Sequence, residues 1–205
     1  KNERIKQMKY EWRKLDKKLY QGPKTPVVIE HPVQSFIMLN GQGNPNKADF
    51  SERVSALYSL AYAIKMEYKK TAHHQEFTDF TVYPLEGSWQ QTEAETLVKD
   101  DLVYTIMIAQ PEFITNETAL EKVKVKKPNP SYNKIRFERI SEGSSVAMLH
   151  VGPFDDEPQT FAKMDAFCQE NGLKRCTSYH REIYLNNKNR TDPQKLKTIL
   201  RYRVQ

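Results

Sequence analysis

"SVAMLHVGPFDDEPQTFAKMDAFCQENG", residues 145–172, decides the fold class of this 205-residue chain. Val146 to Val151 read as a strand, and Gly152 and Pro153 break it. A helix then runs from about Pro158 to Glu170. Asp155 or Asp156 serves as its cap and Pro158 suits its first turn, while Phe161, Met164, Phe167 and Cys168 supply apolar positions before Gly172 stops it. A one-faced helix fed directly by a strand needs a sheet to cover its apolar face.

The rest of the chain supplies that sheet. After the helix, "HREIYL" (180–185) and "LKTILRYRV" (196–204) read as two strands. The same order occurs earlier. A strand over 35–39 ends in the glycine turn "NGQGNPN", and a helix follows in which Val54, Leu57, Ala61, Ile64 and Tyr68 recur every three or four residues. "FTDFTVYPL" (77–85) and "DLVYTIMIAQ" (101–110) then read as strands, joined by a polar connection "EGSWQQTEAETLVKD" (86–100). "NETALEKVKVKK" (116–127) reads as a helix and "KIRFERI" (134–140) as a strand. Strand, helix, strand, strand therefore occurs twice. The expected fold is α+β: two pseudo-twofold-related β-α-β-β modules, about 33–109 and 144–204, sharing one antiparallel sheet with both helices packed on it and a ligand cleft at the seam.

Composition narrows the function classes. A hydrophobic fraction of 38% with only 7 glycines indicates a globular chain. No stretch reaches the roughly 18 apolar residues of a membrane span, and the basic start lacks the apolar centre of a signal peptide, so a cytoplasmic protein is expected. The formal charge of +6 is local: residues 1–24 hold nine basic and three acidic side chains, and the remainder balances. With "QMKYEWRKLDKKLY" read as a helix ending at "QGPKTP", residues 1–24 form a basic N-terminal helix and 25–205 the ligand-binding domain. Specific nucleic-acid binding is not expected. Cys168 and Cys176 read as buried free thiols. The five histidines show no metal-ligand spacing, and "NGQGNPN" lacks the third glycine of a dinucleotide fingerprint, so neither metal nor cofactor is expected.

In "HREIYL" period two puts His180, Glu182 and Tyr184 on one face. Read alone, Glu182 is either a solvated strand residue or the polar anchor of a pocket. "MLHVGPFDDEP" with the following helix, "HREIYLNN", "VYPLEGSW", "YTIMIAQPEF" and "ALYSLAYAIK" together resemble the GyrI-like small-molecule-binding family, in particular its freestanding bacterial members. The resemblance covers nearly the whole chain from about Tyr10. It implies an aromatic cleft between the modules with a buried glutamate, matched by Glu182, and with Tyr184, Trp89 and Tyr104 as aromatic neighbours. Glu86, after the strand "TVYPL", and Phe137, alternating with Ile135, complete the candidate ligand-binding set. Freestanding relatives often carry two adjacent tryptophans after the "LEG" turn; here Trp89 is followed by Gln90, which thins one wall.

A carboxylate among ring faces suits a lipophilic, cationic or aromatic small molecule, recognised by shape and charge. That is the leading reading. The alternative is a cofactor-free hydrolase of strained cyclopropane-containing electrophiles, as the resemblance implies for some members, with Glu182 as a general acid or base whose pKa burial raises. Effector sensing would need a separate regulator, and inhibition of gyrase is carried only by the family name; no protein partner is identified by these residues.

Overall fold

A computed structural model describes residues 7–90 and 96–205. Its strands are β1 (Met8–Tyr10), β2 (Val27–His31), β3 (Gln34–Gln42), β4 (Phe77–Phe80), β5 (Leu85–Gln90), β6 (Val103–Gln110), β7 (Arg136–Ile140), β8 (Gly143–Val151), β9 (Tyr179–Tyr184) and β10 (Lys197–Arg203). Its α-helices are α1 (Trp12–Leu15), α2 (Lys17–Tyr20), α3 (Ala48–Thr71), α4 (Lys122–Lys126) and α5 (Glu157–Glu170). A curled eight-stranded sheet runs in the order β2-β8-β10-β9-β5-β6-β3-β7, with every pairing antiparallel. The order β3-β6-β5 in the first half mirrors β8-β10-β9 in the second, and the halves meet where β5 pairs with β9.

Opposed residues of an antiparallel pair share a face, so the register assigns the two faces. Gly87 opposes Glu182, which opposes Leu200; Trp89 opposes both His180 and Tyr104. This face carries the long helices. Leu57, Leu60, Ala61 and Ile64 of α3 are buried, and Phe50 packs on Tyr104 at a ring separation of 5.2 Å. Met164 and Cys168 of α5 are buried with Val146, Met148 and Leu200. His150, at the end of β8, donates from Nε2 to the Pro153 carbonyl (2.8 Å), and its Nδ1 lies 2.8 Å from the Thr160 hydroxyl, which ties the strand to the start of α5.

The other face holds a buried ionic network. Arg181 Nη1 donates to Glu86 Oε1 at 3.0 Å, Arg181 also pairs with Glu142, and Arg201 Nη2 donates to Glu142 at 2.8 Å. Gln34 donates to the Tyr20 hydroxyl at 3.3 Å, and Tyr20 in turn lies 3.5 Å from Glu86. Arg201 donates to His31 Nδ1 at 3.3 Å. Burial and the Arg201 charge push the His31 imidazole down to about 3, so it accepts as the neutral ring.

Three local expectations are corrected. Residues 7–20 do not form one helix: Met8–Tyr10 pairs in parallel with Phe77–Phe80, and two single turns follow, because Trp12, Leu19 and Tyr20 are buried in the core and a straight helix with mostly basic faces would leave them in water. Residues 1–6 of the expected helix lie outside the described residues. "FTDFTVYPL" is not the sheet strand; that role falls to Leu85–Gln90, all but its first residue in the expected polar connection, of which residues 91–95 are also outside the described residues. Cys168 is buried as expected, but Cys176 is exposed. Among the described residues no helix is long and apolar enough to cross a membrane.

Arg181→Met leaves Glu86 buried without its guanidinium partner. It is expected to destabilise the fold by about 3–5 kcal/mol in urea unfolding, the range for breaking one side of a buried pair. By comparison, removing the exposed Arg53–Asp49 pair of α3 should cost under about 0.5 kcal/mol.

Candidate functional site

The seam strands place two adjacent residues on opposite faces. Arg181 points into the ionic network, and Glu182 points toward the helices. Glu182 is 6% exposed, and its Oε2 accepts from the Tyr184 hydroxyl at 3.0 Å. That hydroxyl accepts from Trp89 Nε1 at 2.9 Å, so a directed chain runs Trp89 to Tyr184 to Glu182. His180 Nε2 lies 3.8 Å from Glu182 Oε1. From the first turn of α5, Glu157 brings a second carboxyl against Glu182.

Two glycines allow this packing. A Cβ on Gly87 would lie 2.5 Å from Trp89 Nε1 and 2.9 Å from the Tyr184 hydroxyl. On Gly41, which opposes Tyr104, it would lie 2.3 Å from the Tyr104 ring. Both rings therefore lie down on bare backbone. The aromatic wall continues from Trp89 to Tyr104 (5.0 Å) and Phe50 (6.0 Å from Trp89), and Phe154 meets Tyr184 edge-on at 6.0 Å. Lys188 Nζ sits 5.3 Å from the Phe50 ring centroid beside the turn at Pro45.

Electrostatics separates the two acids. Burial pushes Glu157 up to about 11, helped by the negative charge of Glu182, so it carries a proton at neutral pH. Burial acts in the same upward direction on Glu182, but the nearby His180 imidazole, the Glu157 carboxyl and the hydrogen bond from Tyr184 outweigh it and hold Glu182 below the ordinary carboxylate value. The raised carboxyl expected at Glu182 is thus found at Glu157. Burial and the neighbouring carboxylates push Tyr184 well above its ordinary value, so it stays a phenol and donates.

Of the sequence candidates, Glu182, Tyr184, Trp89 and Tyr104 converge on this face. Glu86 does not join them: it is fully buried on the opposite face, neutralised by Arg181, because residues 85–90 form a strand and alternate faces. Phe137 sits on β7, four strands from β9 and so roughly 19 Å away, where it packs with the core opposite Ile37. Glu157, His180 and Gly87 were not singled out. His180 shares the strand parity of Glu182 and was legible; Glu157 reads from sequence only as a helix-start acid. Donor atoms of Glu157, His180 and Glu182 lie within 4.8 Å of one another.

A profile of the GyrI-like small molecule binding domain matches residues 24–205. No curated protein matches the chain. Among solved structures, an uncharacterised conserved protein from Listeria innocua is 35% identical with a TM-score of 0.85, over 96% of this chain and 100% of its own. A hydrolase from Listeria innocua is also 35% identical with a TM-score of 0.85, over 97% and 100%. The EcmrR C-terminal domain, 14% identical with a TM-score of 0.55 over 88% and 97%, shares the fold.

Two outcomes follow from this geometry. Gly87→Ala forces Trp89 and Tyr184 apart, and is expected to cost about 1–3 kcal/mol in urea unfolding and to alter the near-UV circular dichroism of the aromatic wall. Glu157, raised in the fold above its ordinary 4.5, contributes stability that is complete below pH 4.5 and is lost as pH rises toward about 11. Glu157→Gln should therefore flatten the decline between pH 5 and 8 and exceed wild type at pH 8 by on the order of 1–3 kcal/mol, read from unfolding curves at several pH values.

Proposed function

This chain belongs to the GyrI-like small-molecule-binding domain family, and from that premise we propose that it binds lipophilic, cationic aromatic small molecules on the helix-bearing face, between α3 and α5. One observation carries the reading. Glu182 is a buried, ionised carboxylate with no arginine or lysine ion-paired to it among the described residues. Its neighbour in chemistry, Glu86, is equally buried but fully partnered by Arg181. A buried charge without a fixed counter-charge costs free energy that a bound cation recovers. The faces of Trp89, Tyr104 and Phe50 add cation–π attraction of about 0.5–2 kcal/mol each where a ligand reaches them.

A second reading, hydrolysis of a strained electrophile, is favoured by the protonated Glu157 beside the ionised Glu182 and by the hydrolase relative at 35% identity. Glu182 would accept a proton from water as the water oxygen bonds to the strained carbon. The electron pair of the breaking carbon–carbon bond would move into the electron-withdrawing group of the substrate, which then takes up a proton.

Glu182→Gln preserves shape and removes charge. For a binder, affinity for a cationic dye should fall by about 1.5–3 kcal/mol while a neutral dye of similar size loses much less. For a hydrolase, binding should hold while turnover of a cyclopropane electrophile drops roughly 100-fold or more. Fluorescence titration and chromatography read the two arms; equal losses for both dyes would reject recognition by charge.

A further inference from the structure

The outward side of α3 carries charge that the fold does not balance. Lys65 and Lys69 share Asp79 at 3.6 and 3.4 Å, while Lys70 shares Glu67 with Lys122 and Lys126 of α4 at 3.9, 3.4 and 2.5 Å. Five ammoniums over two carboxylates leave an excess of three, and Lys124 and Lys127 beside them outnumber the exposed Glu121. Residues 25–205 balance in total but not here. Exposed apolar side chains stand among these lysines. Tyr62 and Met66 precede Lys70 at intervals of four, which puts all three on one face of α3, and they are 54% and 49% exposed; Val125, beside Lys126, is 78% exposed. The apolar side of α3 is used up in the core through Leu57, Leu60, Ala61 and Ile64, so this is the side that the fold leaves uncovered.

Basic and apolar groups mixed on one exposed helix surface match an anionic lipid bilayer, whose phosphates attract the charges and whose boundary layer takes up the apolar tips. We propose that this surface of α3 and α4 docks the protein peripherally on membranes rich in anionic lipid, with the lysines against the headgroup phosphates and Tyr62, Met66 and Val125 entering the headgroup–acyl boundary. The residue types favour lipid over an acidic protein. All seven basic groups are lysines, compact point charges drawn to a diffuse field of phosphates, whereas protein interfaces are depleted in lysine and enriched in arginine, whose fork matches a carboxylate. Tyrosine is at home at the membrane–water boundary, and lysine stems lie along an apolar layer while their heads stay at the phosphates. The docking surface lies apart from Glu182 and is independent of the ligand that the candidate site takes.

The test is co-sedimentation of the full chain with lipid vesicles at about 0.1 M salt, where charge is screened over about 10 Å. Wild type should bind vesicles of phosphatidylglycerol and phosphatidylcholine at least about tenfold more tightly than vesicles of phosphatidylcholine alone. The double change Lys70→Gln, Lys126→Gln leaves Lys122 to hold Glu67 and should weaken that binding at least about tenfold, each lysine contributing about fivefold. Asp79→Asn keeps the oxygen that accepts from the Phe80 N–H but removes a negative charge from the patch, and should tighten binding about fivefold, a gain that misfolding does not mimic. The basic residues at the start of the chain are the same in every variant and do not produce these differences. No preference for phosphatidylglycerol, or a preference indifferent to both the lysine and the Asp79 changes, would overturn docking by this surface. Capture of polyglutamate without any binding to vesicles would also overturn it, and would turn the patch into a site for an acidic protein.

Discussion

The β5–β9 pairing, locked from one side by the Arg181–Glu86 ion pair, is the constraint on which the rest depends. It joins the halves of the sheet, and its register sets what each half presents to the helices. Arg181 reaches both Glu86 and Glu142, Glu142 reaches Arg201, and Arg201 reaches His31, so two guanidiniums sharing Glu142 connect β5, β9, β10, β2 and the residue before β8. Because the side-chain period of a strand is two, fixing Arg181 on that face leaves Glu182 no choice but the other. A slip of one residue would exchange the neutralised network for the unneutralised carboxylate.

The two faces treat buried carboxylates in opposite ways. On the network face each acid meets an arginine, and the charges cancel within hydrogen-bond distance. On the helix face Glu182 is stabilised by donors that carry little charge, namely the Tyr184 phenol and the protonated Glu157, with His180 further off. Hydrogen bonds hold the ionised form without cancelling its field, which is the condition a site for a positive or positively polarised ligand requires. The proton on Glu157 is part of that arrangement: it lets a second acid sit beside the first without two like charges meeting in a dry environment.

Rigidity of the site comes from close approach. Trp89 and Tyr104 lie over Gly87 and Gly41, so their planes are set by backbone, and the Trp89 indole is aimed at Tyr184. Phe50, at the start of α3, braces both rings, while α5 delivers Glu157 and Phe161 from the other side, the latter edge-on to His180 at 4.8 Å. The candidate site is thus built by both halves, each giving one helix and one seam strand.

Much of this was legible in the chain. The helical stripes of α3 and α5, the strand–helix handover at Gly152–Pro153 and the repeated element order follow from periodicity and turn chemistry, which are local. The parity of "HREIYL" put His180, Glu182 and Tyr184 together for the same reason. What the sequence left open was every pairing of distant segments. Whether Trp89 belonged to a connection or a strand, and whether Glu86 faced a ligand or an arginine, depended on the register of β5 against β9, which no local pattern encodes. Basic residues 7–20 looked helical because periodicity cannot report that Trp12 and Tyr20 are needed as core for the opposite face. Glu157 looked like an ordinary helix-start acid, and only the packing of α5 across the seam set its carboxyl against Glu182, where burial and a neighbouring charge gave it a proton.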